Sequence, residues 1–180
     1  MRHGGTRGVR GENPVFPLLE KLSVKECKSL VSLPMAPLIT ESSGGGDTLW
    51  CSAFPALREM ELHDLEMFQR WEANEATVEE HVIFPRLEKL LIRDCKSLNA
   101  LPKASVIKPP FGWVETEYRS TFPALRELVL VNLTNLERWE AGEGTPGEDL
   151  TFHRLEKLKI ESCPELTILP EAPKLSALIV

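Results

Sequence analysis

The sequence feature that most constrains the fold is a repeat with a fixed period. Phe84–Pro102 reads FPRLEKLLIRDCKSLNALP, and related segments occupy Phe16–Pro34 and Phe152–Pro170, so that successive copies start 68 residues apart. A second, related unit begins at Phe54 and again at Phe122, also 68 residues apart. Self-similarity of this kind indicates stacked units, none of which buries its apolar face alone.

All five units share F-x-x-L-x-x-(L/M)-x-(L/I/V)-x-x-(C/L)-x-x-(L/F), which matches the leucine-rich-repeat pattern. In the first unit, Leu19, Leu22 and Val24 alternate with polar residues, which is typical of a short strand with one buried face. We therefore predict a leucine-rich-repeat solenoid, an open horseshoe. It would have short parallel β-strands on its concave face and mostly irregular loops, with little helix, on its convex face. The prediction requires one buried file on adjacent parallel strands: Leu22, Met60, Leu90, Leu128 and Leu158.

The repeat also predicts the domain boundaries. Coils are expected to start near residues 16, 54, 84, 122 and 152, with a partial coil from 173, so that residues 16–180 form the repeat domain. Residues 1–15 are interpreted as a disordered arm. The chain stops in a strand-like segment with no polar cap, which favours a fragment of a longer protein.

Two of the intervals between coils are 38 residues long and contain the segments 34–53 and 103–121. Their Pro and Gly content predicts flexible loops that extend from the outer side of the repeats. The alternative is that each long interval contains a degenerate extra coil.

Composition and motifs exclude several functional classes. The net charge of −6 argues against a nucleic-acid binder, which needs clustered Lys and Arg. No apolar run approaches the roughly 20 residues that cross a bilayer, and the N-terminal segment lacks the apolar region of a secretory signal. The phosphate-loop and nucleophile-turn motifs are missing from the sequence. We therefore expect a cytoplasmic or nuclear protein that is not an enzyme and has no cofactor, metal or membrane partner.

The cysteine positions argue against a disulfide or a metal site. Cys27, Cys95 and Cys163 are equivalent residues two coils apart, on the order of 10 Å from each other if strands lie about 4.8 Å apart. This separation is too long for a disulfide or for shared zinc ligation. We predict that each thiol is buried and donates to a backbone carbonyl. Cys51 lies outside the pattern and is interpreted as a free loop thiol.

Two columns of alternating charge cross the predicted strands. Stacked strands would place opposite charges side by side, which favours this order of coils and opposes a slip by one. Because exposed pairs contribute about 0–1 kcal/mol each, we interpret the columns first as devices for register and solubility. A binding surface is the second interpretation. The columns are Lys21, Glu59, Lys89, Glu127, Lys157 and Glu20, Arg58, Glu88, Arg126, Glu156.

The other outward-facing strand positions are expected to be less paired with one another, and they form the candidate partner-binding face. Leu91, Val129 and Val131 predict a small exposed apolar patch flanked by charge, which suggests contact with another protein or domain. Trp71 and Trp139 recur at one repeat position and are expected to pack in the core. The candidate partner-binding residues are Lys25, Glu61, His63, Leu91, Arg93, Val129, Val131, Lys159 and Glu161.

The repeat units carry a family resemblance. The pattern F-P-x-L-x-x-L-x-(V/I)-x-x-C-x-S-L-x-x-L-P at Phe16 and Phe84, the C-P-E-L-x-x-L-P of Cys163–Pro170 and the F-P-A-L-R-E units resemble plant disease-resistance proteins. Specifically, they resemble the irregular repeats of the nucleotide-binding, leucine-rich-repeat (NLR) class, over residues 16–180.

The resemblance implies an intracellular immune receptor. Its repeats would recognise a pathogen effector or a guarded host protein and hold a neighbouring nucleotide-binding domain inactive. That domain and the coiled-coil domain are absent from this chain. The alternative is a generic leucine-rich-repeat scaffold or a substrate-receptor module, for example of a ubiquitin ligase, which would need an adaptor-binding motif that this sequence lacks.

Overall fold

The computed structural model describes residues 16–33, 54–69, 71, 84–106, 118–119, 122–141 and 152–180. Within these ranges the chain contains nine β-strands and no helix. The interpretation of residues 1–15 as a disordered arm, the loop predicted at 34–53 and the free thiol predicted at Cys51 lie outside the described residues. The strands are β1 (Lys21–Lys25), β2 (Glu59–His63), β3 (Lys89–Arg93), β4 (Ala100–Val106), β5 (Tyr118–Arg119), β6 (Glu127–Val131), β7 (Arg138–Ala141), β8 (Lys157–Glu161) and β9 (Ala177–Ile179).

Six strands form one sheet in the order β1-β2-β3-β6-β8-β9, and every neighbouring pair is parallel. Residues at the same repeat position pair across each boundary, for example Leu22 with Met60 and Leu90 with Leu128. The predicted short parallel strands in constant register are therefore confirmed. In the described sheet β1 pairs directly with β2, and β3 pairs directly with β6, so no strand lies between the members of either pair.

A turn precedes each strand of this sheet. In the first coil the amide of Leu19 donates to the carbonyl oxygen of Phe16 at 3.3 Å, and the same hydrogen bond opens the coils that start at residues 54, 84, 122 and 152. Proline follows the phenylalanine in four of these turns, where its fixed φ suits the second turn position. His153 takes that position in the fifth turn and is exposed. The turn that begins at the phenylalanine thus precedes each of these five strands, with or without proline.

A residue in the left-handed backbone region follows each of the first five strands of this sheet, β1, β2, β3, β6 and β8. These residues have φ between 53° and 56°. The amides of the first four extend the hydrogen-bond ladder by one residue. For example, the amide of Asp94 donates to the carbonyl oxygen of Val131 at 3.0 Å. Asp and Asn tolerate this conformation better than other non-glycine residues. The five residues are Glu26, Asp64, Asp94, Asn132 and Ser162.

The core lies on one face of the sheet and consists of rows, each supplied by one repeat position. Met60, Leu90, Leu128 and Leu158 are at most 2% exposed, and Leu22 on the first strand is half-buried, so the predicted file is confirmed. A second row consists of stacked phenylalanine rings, whose centroids lie 5.5–6.2 Å apart from one coil to the next. This row contains Phe16, Phe54, Phe84 and Phe122.

Trp71 joins the phenylalanine row from the side. Its ring makes edge-to-face contacts with Phe68 at 5.5 Å and Phe84 at 5.8 Å, and its side chain is buried. The prediction of a core position is therefore confirmed for Trp71, although its indole N–H has no hydrogen-bond partner among the described residues. The side chain of Trp139 lies outside the description, and its backbone pairs with that of Leu101.

A second, three-stranded sheet has the order β5-β4-β7. Strand β4 is parallel to β7 and antiparallel to β5, and its register with β7 shifts between Leu101 and Ala104. The loop predicted from residue 103 onward is therefore wrong for residues 103–106 and 118–119. These segments lack an alternating apolar pattern, and their pairing depends on backbone groups of distant residues, which local sequence does not encode.

Candidate partner-binding face of the sheet

The face of the six-stranded sheet opposite the core carries the first, third and fifth side chains of each five-residue strand. We call it the open face. Because strand side chains alternate, these positions point away from the buried leucine file. In-register pairing arranges them in three rows. The first row is Lys21, Glu59, Lys89, Glu127, Lys157; the second is Ser23, Glu61, Leu91, Val129, Lys159; the third is Lys25, His63, Arg93, Val131, Glu161.

Among the described residues, the first row and the column beside it each contain two ion pairs between coils. Lys21 Nζ lies 2.7 Å from Glu59 Oε2, and the hydrogen bond between them raises the pKa of Lys21 and lowers that of Glu59. Lys89 contacts Glu127 at 3.4 Å. In the neighbouring column the distances are 3.0 Å and 3.8 Å for the pairs Arg58–Glu88 and Arg126–Glu156. The predicted alternation of charge is therefore confirmed as contacts between adjacent strands.

The second and third rows bring all nine candidate residues onto adjacent strands, and several of them pair with each other. Lys25 Nζ contacts Glu61 Oε1 at 3.1 Å, and this hydrogen bond is the largest cause of the lowered pKa of Glu61. Lys159 Nζ contacts Glu161 Oε2 at 2.8 Å and lowers the pKa of that carboxyl. The expectation that these positions are less self-paired is wrong for these four residues, because long side chains at diagonal or alternate positions lie within reach of each other.

A polar chain crosses three strands at one edge of the open face. His63 Nε2 lies 3.2 Å from Asp94 Oδ2, and the amide nitrogen of Asn132 donates to Asp94 Oδ1 at 2.7 Å. Asp94 and Asn132 fall outside the nine candidates although they contact the same face. Both residues occupy the repeat position directly after a strand, and this shared position is the sequence signal that identifies them.

The apolar patch is smaller than the sequence predicts. Leu91 pairs with Val129 on the next strand, and both side chains are half-buried. Val131 is only 6% exposed, so its prediction as an exposed member of the patch is wrong. It pairs with Arg93 on one side and Glu161 on the other, and these longer side chains flank its short one.

Arg93 differs from the other charged candidates. Its side chain is exposed, and among the described residues it has no ion pair within 4 Å and no hydrogen bond to a side chain. It lies on the same strand as Leu91 and directly beside Val131. In the described strands, Arg93 is therefore an unpaired cation next to the small apolar centre of the open face.

Comparison with known proteins identifies the family. A family model described as "Plant disease resistance protein RPS2-like, leucine-rich repeats" matches residues 83–173, about half of the chain. The chain belongs to this RPS2-like repeat family. Probable disease resistance protein RF9 of Arabidopsis thaliana is 27% identical over 198 residues, which cover 89% of this chain and 17% of the relative. The chain thus spans about a sixth of that relative's length. No solved structure matches it significantly.

The resemblance to plant NLR repeats is therefore confirmed, and the parallel sheet is consistent with a leucine-rich-repeat fold. In the described ranges, no helix of this RPS2-like chain is long and apolar enough to span a membrane. Within the same ranges, no group of three or more His, Cys, Asp or Glu residues is arranged to hold a metal ion.

The three repeat cysteines of the RPS2-like chain are free thiols. Each Sγ donates to the carbonyl oxygen two residues earlier, at 3.4–3.5 Å, as predicted. Burial raises the pKa of Cys95 to about 11 and also raises that of the half-buried Cys163. Cys27 is exposed, which contradicts its predicted burial. It follows β1, the first strand of the sheet, which has a neighbouring strand on one side only.

Proposed function

We propose that this RPS2-like chain is the protein-recognition module of a plant intracellular immune receptor and has no catalytic activity of its own. Its six-stranded sheet would line the concave face of an open horseshoe solenoid, with coils starting near residues 16, 54, 84, 122, 152 and 173. Family membership and the constant parallel register support this proposal.

The observation that carries the proposal is the contrast between core rows and open-face rows. On the core face, one repeat position holds Leu or Met in every coil from Leu22 to Leu158. On the open face, the next position changes from Ser23 to Glu61, Leu91, Val129 and Lys159. Packing dictates the first position and leaves the second free, so the second is available to determine which protein binds.

The partner in this proposal is a pathogen effector or a guarded host protein, met in the cytoplasm or nucleus. A second contact would hold a nucleotide-binding domain, outside this chain, in its inactive state. Similarity to a probable disease resistance protein of Arabidopsis thaliana supports this context. The open face has the mixed character of a transient interface, with a half-buried aliphatic pair surrounded by charged groups.

Differential co-purification from plant leaf tissue tests the proposal. The tagged chain is compared with an open-face variant, Glu61→Lys/Leu91→Asp/Val129→Asp, and with a matched control variant, Arg86→Glu/Arg154→Glu, whose two exposed arginines lie in turns before the strands. We expect a set of proteins that co-purify with the wild-type chain and the control variant and are lost from the open-face variant. Far-UV circular dichroism and urea unfolding establish that all three chains are folded.

The proposal fails if the wild-type and open-face variants retain the same proteins. Loss of the co-purifying proteins from the control variant alone would indicate that the binding site lies in the turns rather than on the open face. For the immune context, expression of the chain with the nucleotide-binding domain of a plant disease resistance protein should reduce the cell death that this domain causes. Unchanged cell death would remove the restraining role.

A further inference from the structure

We infer that the protein segment bound by the open face presents an acidic side chain next to an aliphatic or aromatic one. The carboxylate would contact Arg93, and the apolar side chain would cover Leu91 and Val129. This inference rests on the proposed recognition function and adds the chemistry of the partner to it.

Two acidic side chains near Arg93, those of Asp94 and Glu161, are already engaged by other groups. Asp94 contacts His63 at 3.2 Å and accepts a hydrogen bond from Asn132 at 2.7 Å. Glu161 lies 2.8 Å from Lys159, and Arg93 acts on it only as a more distant charge. The guanidinium of Arg93 is therefore the charge on this part of the face that remains available to a carboxylate from outside.

Glu61 completes this set of engaged carboxylates. It contacts Lys25 at 3.1 Å and accepts a hydrogen bond from Ser23 Oγ at 3.2 Å. A basic partner segment would have to displace Lys25 to pair with Glu61, or Lys159 to pair with Glu161. An acidic segment finds Arg93 unoccupied, so charge complementarity favours it.

The spacing of the groups suits two alternate residues of an extended segment, whose side chains point to the same side. Leu91 and Arg93 are alternate residues of one strand and share a face, and Val129 pairs with Leu91 on the next strand. Alternate strand residues lie about 7 Å apart and paired strands about 4.8 Å apart. A guanidinium binds a carboxylate through two parallel hydrogen bonds, and arginine is enriched among residues that dominate binding energies.

Peptide selection against the intact 180-residue chain tests the inference. The probe is a phage-displayed library of random dodecapeptides, and selected peptides are resynthesised with a fluorophore for polarisation titrations. We expect enrichment of Asp or Glu within two residues of Leu, Ile, Phe or Trp. Arg93→Gln should weaken these peptides by about tenfold or more, and the affinity should fall as salt rises. The control Arg154→Gln, which replaces an exposed arginine before β8, should change affinity less than about twofold.

Exchanging the charges of Arg93 and of the peptide's acidic residue tests their contact directly. Arg93→Glu should abolish binding of a selected acidic peptide, and replacement of the peptide's acidic residue by Lys should restore it. Because Arg93 is exposed, these substitutions leave the fold intact, which circular dichroism checks.

The outcomes separate this inference from the proposed function. Peptides that bind without acidic residues, ignore Arg93→Gln and are lost with Leu91→Asp would overturn the inference and leave open-face recognition standing. Enrichment of basic peptides would have the same consequence. Peptides that ignore both Arg93→Gln and Leu91→Asp, or a library without any enriched sequence, would count against both.

Discussion

The two faces of the six-stranded sheet are built by the same five-residue strands, yet they differ in what each position tolerates. The core face repeats one leucine file with exposures of at most 2% from Met60 to Leu158. The open face places an exposed Arg, a buried Val and a half-buried His at equivalent positions. A side chain packed on both neighbouring coils must keep its volume, whereas one that faces solvent is free to vary. The core positions therefore keep the fold constant from coil to coil, whereas the open-face positions supply the residues that differ between coils.

The largest effect on the free energy of unfolding should come from truncating a core side chain, compared with truncating the open-face side chain that follows it in the strand. Leu90→Ala should lower the free energy of unfolding by about 2–5 kcal/mol, because Leu90 is fully buried and its truncation leaves a cavity between two coils. Leu91→Ala should cost less than about 1 kcal/mol, because Leu91 is half-buried. Urea unfolding followed by circular dichroism measures both. Equal losses for the two variants would show that the faces do not differ as the structure indicates.

The thiols sharpen the comparison along the sheet. Cys95, buried in the middle coils, has a pKa raised to about 11, whereas Cys27 beside the first strand is exposed. A pulse of iodoacetamide at about pH 8, read by peptide-resolved mass spectrometry, should label Cys27 first, then Cys163, and Cys95 last. The pKa rise alone lowers the thiolate fraction of Cys95 about a hundredfold. Labelling of Cys95 as fast as Cys27 would mean that the middle coils open as readily as the first.

Periodicity alone was sufficient to predict the core face and the charge columns. Within each coil, apolar residues recur after three and then after two positions, and this spacing defines the file from Leu22 to Leu158. The charge of one repeat position alternates in sign from coil to coil, which defines contacts such as Lys89–Glu127. Both depend on a repeated local pattern, which one sequence contains in several copies. For the same reason the resemblance to plant disease-resistance repeats was visible in the Phe-Pro and Cys-Pro-Glu-Leu segments.

The features that the sequence did not predict depend on neighbours that differ from coil to coil. Val131 is buried because it lies between two longer side chains on neighbouring strands, and Asp94 joins His63 to Asn132 across three strands. Strand β4 continues past Pro102 because β7 pairs with its backbone. To predict such pairings, the register of the strands must be known first, because it determines which side chains meet.

A substitution at a turn residue that follows a strand should change the free energy of unfolding by a smaller amount. Ser162 has a φ of 54°, a conformation that Asn accommodates at lower cost. Ser162→Asn should therefore raise the free energy of unfolding by about 0.5–1 kcal/mol. The matched control Thr167→Asn, at an exposed residue without positive φ, should change it by less than about 0.5 kcal/mol. A loss of stability in Ser162→Asn would show that this backbone conformation is not a source of strain.

The smallest effect belongs to the paired carboxylates of the open face, and it appears as a dependence on pH. Lys25 and Lys159 lower the pKa values of Glu61 and Glu161 below 4.5. A carboxyl with a lowered folded-state pKa stabilises the fold above its unfolded pKa and loses that contribution as pH falls through the folded value. Stability should therefore decline below about pH 4.5, and the decline should be shallower in Glu61→Gln/Glu161→Gln. Thermal unfolding between about pH 3 and 7 measures it, with Leu91→Ala, which removes no titrating group, as the control. An unchanged slope in the double variant would show that these pairs contribute nothing to folding and leave their side chains free for a partner.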